Sequence, residues 1–574
     1  MINVSNEYKQ NIYKDTSKTV CSVSYGSFDV TAKNMAQANS SDKQSFTNEM
    51  NTLNKNINEY SKVATLELNE WLLDGSFENF PNEPKSDNFG WWSLKQSDAS
   101  GNFEEAPTMT YTWQENHSSI GITLSVQNPI KKLTLKWYDA NDTLLDEHIF
   151  ENDDMSKKQY AIEYGVTNFK KLVLEFDQVL PHHYVKLNNI DFGIKYKWED
   201  EIIDLKVTES IDITANTLAS NELTVSLNNI NNSFNKYNPS NRLRFLQEGQ
   251  KLEVENSLII NGEKESVPLG TFYLTSWGSE SEYTTKFVAN DILLKLDRTF
   301  YHSKFYQNAT VETIINDILS EIEGASYEIS EELKTITLTG YIPIVTYREA
   351  LQQICFCVGA IAKVNRYNKI EIKRISNKVT CETIGYDKKE FASDKENERY
   401  SSVIVTKHTY SISSEEKEVY KGEVTGTQIL LLNTPCTVTS VAGTYTSYTA
   451  YANCIEIVGA SGEIIVNGKE YIDYSKNIYS EIEDTSVGVT KQVLSVSNIA
   501  LIGKDETATY VANWLLEQLQ KYITNEFNWL GNPAIETGDT VNVQVSENLY
   551  KEAIITRNTF TYNGALSEQS EVTL

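Results

Sequence analysis

The chain has 574 residues, too many for one hydrophobic core, and roughly three to five domains are expected from its length. Its 51 basic and 79 acidic side chains give a net charge of −28, spread without a basic stripe, which argues against sequence-specific binding of nucleic acid through phosphate contacts. With 33 Tyr and 20 Phe but only 10 Pro and 5 Met, the composition favours β-rich folding over disorder or helical bundles.

A strand is expected at residues 21–25. Residues 34–62 are polar, and Met35, Phe46, Met50, Leu53 and Ile57 recur at roughly helical spacing. So much Asn and Ser makes a lone helix marginal there, which implies a linker that packs on a neighbour. Residues 1–65 are therefore read as the opening strands of a first barrel plus a linker.

Composition shifts over residues 66–196, where Trp71, Trp91, Trp92, Trp113 and Trp137 fall. Apolar residues alternate as Ile120, Ile122, Leu124, Val126, then Leu133, Leu135, Trp137, then Leu172, Leu174, Phe176, with turn residues at 139–142. Many short strands and almost no helix signal imply an inserted β-sandwich. Residues 197–300 resume barrel-type strands, with Leu223, Val225 and Leu227 leading toward the Gly-Gln-Lys-Leu-Glu-Val stretch at 249–254.

Residues 301–395 read as a small α+β domain. Val311, Ile314, Ile315, Ile318 and Leu319 form one apolar helix face. Thr346 and Glu349 form a capping box, and Gly359 is placed to end that helix before strands at 361–364 and 370–372. Residues 396–574 are β-rich apart from one helix at 505–522, which displays Tyr510, Val511, Trp514, Leu515 and Leu519. Asn563-Gly564 marks a hairpin, since both residues tolerate positive φ.

Chemistry is sparse. The histidines at 117, 148, 182, 183, 302 and 408 stand in no Gly-x-Ser-x-Gly or His-Glu-x-x-His context, and His182-His183 is expected in an exposed loop. Asp153-Asp154 and Glu415-Glu416 read as solvated turns rather than glycosidase dyads. Cys21, Cys355, Cys357, Cys381, Cys436 and Cys454 form no CxxC pair and are expected to stay reduced, with Cys355 and Cys357 buried as small hydrophobes. No signal peptide and no apolar run of about eighteen residues is present, so no transmembrane segment is expected. The chain is expected not to be an enzyme.

Binding is a separate question. Trp91, Trp92, Tyr111 and Trp113 are candidate carbohydrate-stacking rings, because an aromatic face supplies apolar contact to a pyranose at little entropic cost. Core filling is the alternative for Trp113 and Trp137. Trp91 and Trp92 are adjacent, so in a strand they point to opposite sides and a single core buries only one.

Several segments taken in order resemble the hub proteins of bacteriophage tail tips and baseplates. They are Asn-Asn-Ser-Phe-Asn-Lys-Tyr-Asn-Pro at 231–239, Val-Pro-Leu-Gly-Thr-Phe-Tyr-Leu-Thr-Ser-Trp at 267–277, Phe-Val-Ala-Asn-Asp-Ile-Leu-Leu-Lys-Leu-Asp at 287–297 and Leu-Gly-Asn-Pro-Ala-Ile-Glu-Thr-Gly-Asp-Thr-Val-Asn-Val at 530–543. Residues 60–77 resemble the segment that precedes an inserted module in tail proteins of Gram-positive phages. The sandwich, opening with Leu-Asp-Gly-Ser-Phe-Glu at 73–78 and closing with Val-Lys-Leu-Asn-Asn-Ile-Asp-Phe-Gly at 185–193, resembles a galactose-binding-like, discoidin-type jelly roll.

The resemblance implies a mainly β, multidomain fold with two hub-type β-barrels, a small α+β domain and an inserted β-sandwich jelly roll. It implies a homotrimer that adapts a tail tube to a central spike or tip. Partners would be the tube or distal tail protein, the spike, the tape-measure protein, baseplate neighbours and a host cell-wall glycan. The place implied is a virion or phage-like particle, with synthesis in the bacterial cytoplasm. No cofactor is implied beyond a structural calcium in the sandwich, for which Glu78 and Asp191 are the candidate oxygens. The acidic balance reads as ordinary solubility or as a lumen that repels DNA phosphate. The chain stops at Leu574, so any wall hydrolase is expected on another chain. A carbohydrate-binding tail adhesin is the alternative function.

Overall fold

The computed structural model describes residues 1–14, 17–28, 30–47, 63–68, 70–77, 90–230, 248–375, 382–390, 392–482 and 492–574. It is mainly β, as the period-two runs imply, with few helices. The chain divides into two compact units: Met1–Val23 with Trp198–Leu574, and Ser24–Lys197.

In the larger unit, two sets of six strands run side by side within one sheet of thirteen. The first set is ordered Thr19–Phe28, Lys251–Ile260, Glu263–Ser279, Thr284–Asn290, Glu222–Asn228, Ile202–Ser210. The second is ordered Thr383–Ile384, Thr540–Ser546, Leu549–Tyr562, Leu566–Thr573, Ile523–Trp529, Ser393–Glu396. Alternation explains the strands: Leu205, Val207, Leu223, Val225, Leu227, Leu252 and Val254 are buried on one side of the first set. Ile384, Phe527, Trp529, Val541, Val543, Ile555 and Val572 fill the core of the second.

The sets are joined by a single strand, Leu549–Tyr562. On one edge its first half pairs with Thr540–Ser546, and its second half, Arg557 to Tyr562, pairs with Ile202–Ser210. On the other edge Leu566–Thr573 runs alongside, with a register shift between Ile555 and Arg557 where the change of partner occurs. A bulge there bends and twists the strand, which lets one strand serve two sheets that curl separately.

Local turn chemistry follows the residues. Asn261 and Gly262 both adopt positive φ, at 53° and 91°, in a two-residue hairpin turn. In the hairpin at 563–565 only Gly564 does, at 102°, because that loop is one residue longer.

Residues 301–375 form the small α+β layer, whose core holds the helices Val311–Leu319 and Tyr347–Val358. The capping box of Thr346 and Glu349 is present, and Gly359 ends the helix in the left-handed conformation at φ 61°. The later helix is Asp505–Leu519, shorter than its expected span because Ile523 already starts a strand. Its buried face, including Val511, Ala512 and Leu515, packs into this same core. From it a β-rich arm extends, built on the paired strands Lys417–Leu431 and Cys454–Asp473 around its own core of Val424, Leu430, Ile455, Ile457, Ile464 and Val466.

The smaller unit is a β-sandwich. A five-strand sheet, ordered Gln37–Ser40, Thr108–Ser119, Val166–Val179, Ile130–Tyr138, Leu144–Glu151, shares its core with a four-strand sheet, ordered Trp91–Trp92, Lys186–Asp191, Ile122–Val126, Gln159–Ile162. The segment read as a linker contributes here: Val30–Met35 is helical and Gln37–Ser40 pairs with Thr108–Ser119. Met50, Leu53 and Ile57 lie outside the described residues.

Cys21, Cys355, Cys357, Cys436 and Cys454 are free and buried, and Cys381 lies outside the described residues. Burial pushes the Cys21 and Cys355 thiols up to about 12 and the Cys436 and Cys454 thiols up to about 11. At pH 8 a thiol reagent is therefore expected to leave these five cysteines unlabelled in the folded protein and to reach them in denaturant; peptide mapping that finds any of them labelled in the native state would contradict their burial.

Candidate functional site

The strongest concentration of buried charge lies where the α+β layer meets both strand sets. Arg366 sits in the tight turn between the strands Ile361–Val364 and Lys369–Lys373. Asn365 shapes that turn by accepting from the backbone N–H of Tyr367 and Lys369 at 3.0 and 3.1 Å, while Asn368 takes positive φ. The guanidinium points inward and is almost fully enclosed.

Each branch of the guanidinium is engaged. Nη1 donates to the carbonyls of Pro268 and Pro533 at 3.0 Å each. Nη2 donates to Ile535 O at 3.2 Å and Glu209 Oε2 at 3.1 Å, and Nε lies 2.5 Å from Glu209 Oε1. The Phe560 ring centroid lies 5.0 Å away. Burial opposes the charge, but Glu209 and Glu536 outweigh it and hold the guanidinium above its usual value. Beside it, Lys363 Nζ donates to Thr537 O at 2.9 Å and pairs with Glu536 at 3.6 Å.

Glu568, also buried, accepts from Asn532 N at 2.8 Å. Burial pushes its carboxyl from 4.5 up to about 8, against the pull of that hydrogen bond and of Arg366. Sealed from solvent and spent on carbonyls, this cluster presents no reacting atom to a substrate. It holds three parts of the unit together.

A second joint anchors the arm. Phe305 stacks on Tyr471 at 4.0 Å, and Tyr410 meets Phe305 edge-on at 5.3 Å. His302 Nδ1 lies 2.8 Å from Glu321 Oε1 and its ring is tilted against that of Tyr451 at 4.7 Å, while Ala452 N donates to Ser303 O at 2.8 Å. Beyond this joint the arm exposes Ile412, Leu431, Tyr448, Ile472 and Tyr474. A pocket of about 770 Å³ opens beside the hairpin at 563–565, among Ile12, Lys18, Glu199, Lys264, Leu530 and Tyr562. Its Lys264 and Glu199 neutralise each other at 2.5 Å.

The candidate sugar-stacking rings are placed otherwise than expected: Trp91, Trp92 and Tyr111 are 0% exposed and Trp113 is 6%. Trp113 Nε1 donates to Ala32 O at 2.7 Å, and Tyr111 meets Phe192 edge-on. Trp91 enters the sandwich core against Phe176. Trp92 points to the opposite side, as adjacent strand residues do, yet Val63 and Phe46 build a second small core over it. No one of the four offers a free ring face in this conformation. That covering segment is what sequence periodicity could not reveal.

Of the candidate calcium oxygens, Glu78 lies outside the described residues. The Asp191 carboxylate already pairs with the Lys33 ammonium at 2.5 Å, so a cation there would have to displace Lys33. Among the described residues no group of three acidic, His or Cys side chains is arranged to hold a metal. His183, expected in an exposed loop, is buried, with Nδ1 2.7 Å from Pro181 O; His182 is exposed.

No protein-family model and no curated protein matches the chain. Among solved structures it is similar to the 43 kDa tail protein of prophage MuSo2 from Shewanella oneidensis, at 14% identity and TM-score 0.40, over 66% of this chain and 95% of that one. A tail protein from Neisseria meningitidis is similar at 9% identity and TM-score 0.40, over 66% and 94%. Prophage tail protein gp18 from Listeria monocytogenes is similar at 10% identity and TM-score 0.36, over 77% and 94%.

Two outcomes are expected from the charge cluster. Arg366→Met leaves the Glu209 charge buried without its partner and is expected to cost about 3–5 kcal/mol in a denaturant titration, with Glu209→Gln added to it restoring part of the loss. Glu568 keeps its proton in the folded chain up to about 8 but releases it near 4.5 when unfolded. Its contribution to stability is full below 4.5 and is lost as pH rises through about 8; Glu568→Gln is expected to flatten that stretch of the stability–pH curve, and an unchanged slope would show that Glu568 does not titrate there.

Proposed function

We propose that the chain is a structural hub of a phage or phage-like tail tip or baseplate, acting as a mechanical part and not as a catalyst. The observation that carries this reading is the fusion of two six-strand sets through the single strand Leu549–Tyr562. A chain that presents two β-walls as one piece can contribute two wall segments to a closed ring of three copies, and closed symmetry leaves no interface unsatisfied. Such a ring would match a hexameric tube on one side and a trimeric spike on the other.

The remaining features support the same reading. The buried charges are spent on internal carbonyls and carboxylates, which stiffens the piece without creating a reactive site. The apolar side chains that the arm exposes suit contact with baseplate neighbours. The net charge of −28 suits a lumen through which phosphate must pass without sticking. An adhesin built on ring stacking has less support, because the four candidate rings are buried.

Light scattering on the purified chain over a wide concentration range tests the ring. The expected mass is three times 65.2 kDa. A monomer at every concentration, persisting when a tube or spike protein is added, would overturn the trimeric hub.

A further inference from the structure

The smaller unit holds a trio of buried residues that the assembly reading does not use: Glu67, Asn128 and Lys186, each 1% exposed. Lys186 opens the strand Lys186–Asp191, and Gln127 N donates to its carbonyl at 2.9 Å, which sets Asn128 beside it. Glu67 bridges the two side chains. Its Oε1 accepts from Asn128 Nδ2 at 2.6 Å and from Tyr184 N at 2.9 Å, and its Oε2 accepts from Lys186 Nζ.

An ion pair alone would need only Glu67 and Lys186. Here a carboxamide shares the same carboxylate, and its Oδ1 is buried with no hydrogen-bond partner in the structure. Trp92 lies under the amine, with Lys186 Nζ 4.3 Å from the ring centroid, and that ring is itself sealed by Val63 and Phe46. An amine and an amide thus share one carboxylate where water is excluded and each is held in place, the conditions under which proximity most lowers a barrier.

We propose that Lys186 and Asn128 close an intramolecular isopeptide bond, with Glu67 carrying the protons. Glu67 takes a proton from the Lys186 ammonium. The Nζ lone pair attacks Cγ of Asn128, and Glu67 delivers that proton to Nδ2 and then relays to it the second proton that Nζ loses on bond formation, so that Nδ2 leaves with the electron pair of the Cγ–Nδ2 bond. One Nζ–Cγ bond forms, one Cγ–Nδ2 bond breaks and nitrogen departs as ammonium, with Glu67 again a carboxylate. No oxidant, metal or cofactor enters. Burial, which pushes the lysine below its ordinary value even against the attraction of Glu67, makes the free amine easier to reach.

A lysine, an asparagine and a carboxylate meet a second time in this unit, and the contrast is informative. Lys33 Nζ donates to Asn189 Oδ1 at 3.2 Å and to Asp191 Oδ1 at 2.5 Å. The Lys33 and Asp191 side chains are 14% and 18% exposed, so water reaches the pair and it stays an ordinary ion pair.

The full-length protein, purified and denatured, is to be weighed intact and digested with trypsin. The expected mass is that of the sequence less one ammonia, with a branched peptide joining Asn128 to Lys186. Glu67→Gln and Asn128→Ala are each expected to abolish the branch. Should those variants fold poorly, the unmodified protein still decides: recovery of Asn128 and Lys186 only in separate, unbranched peptides overturns the proposal. A branch at Lys33 and Asn189 instead, or one that persists in folded Glu67→Gln, overturns it as well.

Discussion

The larger unit depends on burying one guanidinium. Arg366 reaches from a turn of the α+β layer to Glu209 in one strand set and to Pro533 and Ile535 in the loop that leads into the other. Taking such a charge out of water is costly, and only near-complete satisfaction offsets it. The geometry is therefore specific: a shift of any of the three parts would leave a donor, a carbonyl or a carboxylate buried and unpaired. Apolar packing tolerates sliding by a fraction of a side chain, whereas a fork of directed hydrogen bonds does not.

The shared strand works with this joint. Leu549–Tyr562 transmits position along its backbone from one set to the other, and the register shift after Ile555 lets each set keep its own curl. Covalent continuity through one strand, braced by a buried ion pair, holds the two sets at a fixed spacing with few residues. The arm, held by Phe305 stacked on Tyr471 and met edge-on by Tyr410, is a separate sheet with its own core and a further set of apolar side chains, Leu431 and Ile472 among them, exposed.

The smaller unit shows how burial can redirect a sequence signal. Adjacent tryptophans suggest that one is offered to a ligand, because a strand has two faces and one core. In the structure both faces are covered: the sandwich core takes Trp91, and a short segment containing Val63 takes Trp92. That covering segment also brings in Glu67, which gives Lys186 a carboxylate partner beneath the cover. The burial of Trp92 and the trio that includes Asn128 are consequences of one piece of chain lying over the sheet.

Much of the fold was legible in the sequence, because it rests on local rules. Period-two alternation at Leu223, Val225 and Leu227 made strands, the one-sided run from Val311 to Leu319 made a helix, and Thr346, Glu349 and Gly359 set the limits of another. These signals survive without knowledge of neighbours, since each arises from backbone geometry within a few residues. The sites were not legible. Arg366 with Glu209, and Lys186 with Glu67 and Asn128, are separated by long stretches of chain, and nothing at either end announces the partner. Whether a charge is a solvated surface group or a buried clamp depends on what packs over it. The sequence alone determined which segments become strands and helices; only the tertiary structure decided which polar groups lose their water, because desolvation is a property of the whole packed body.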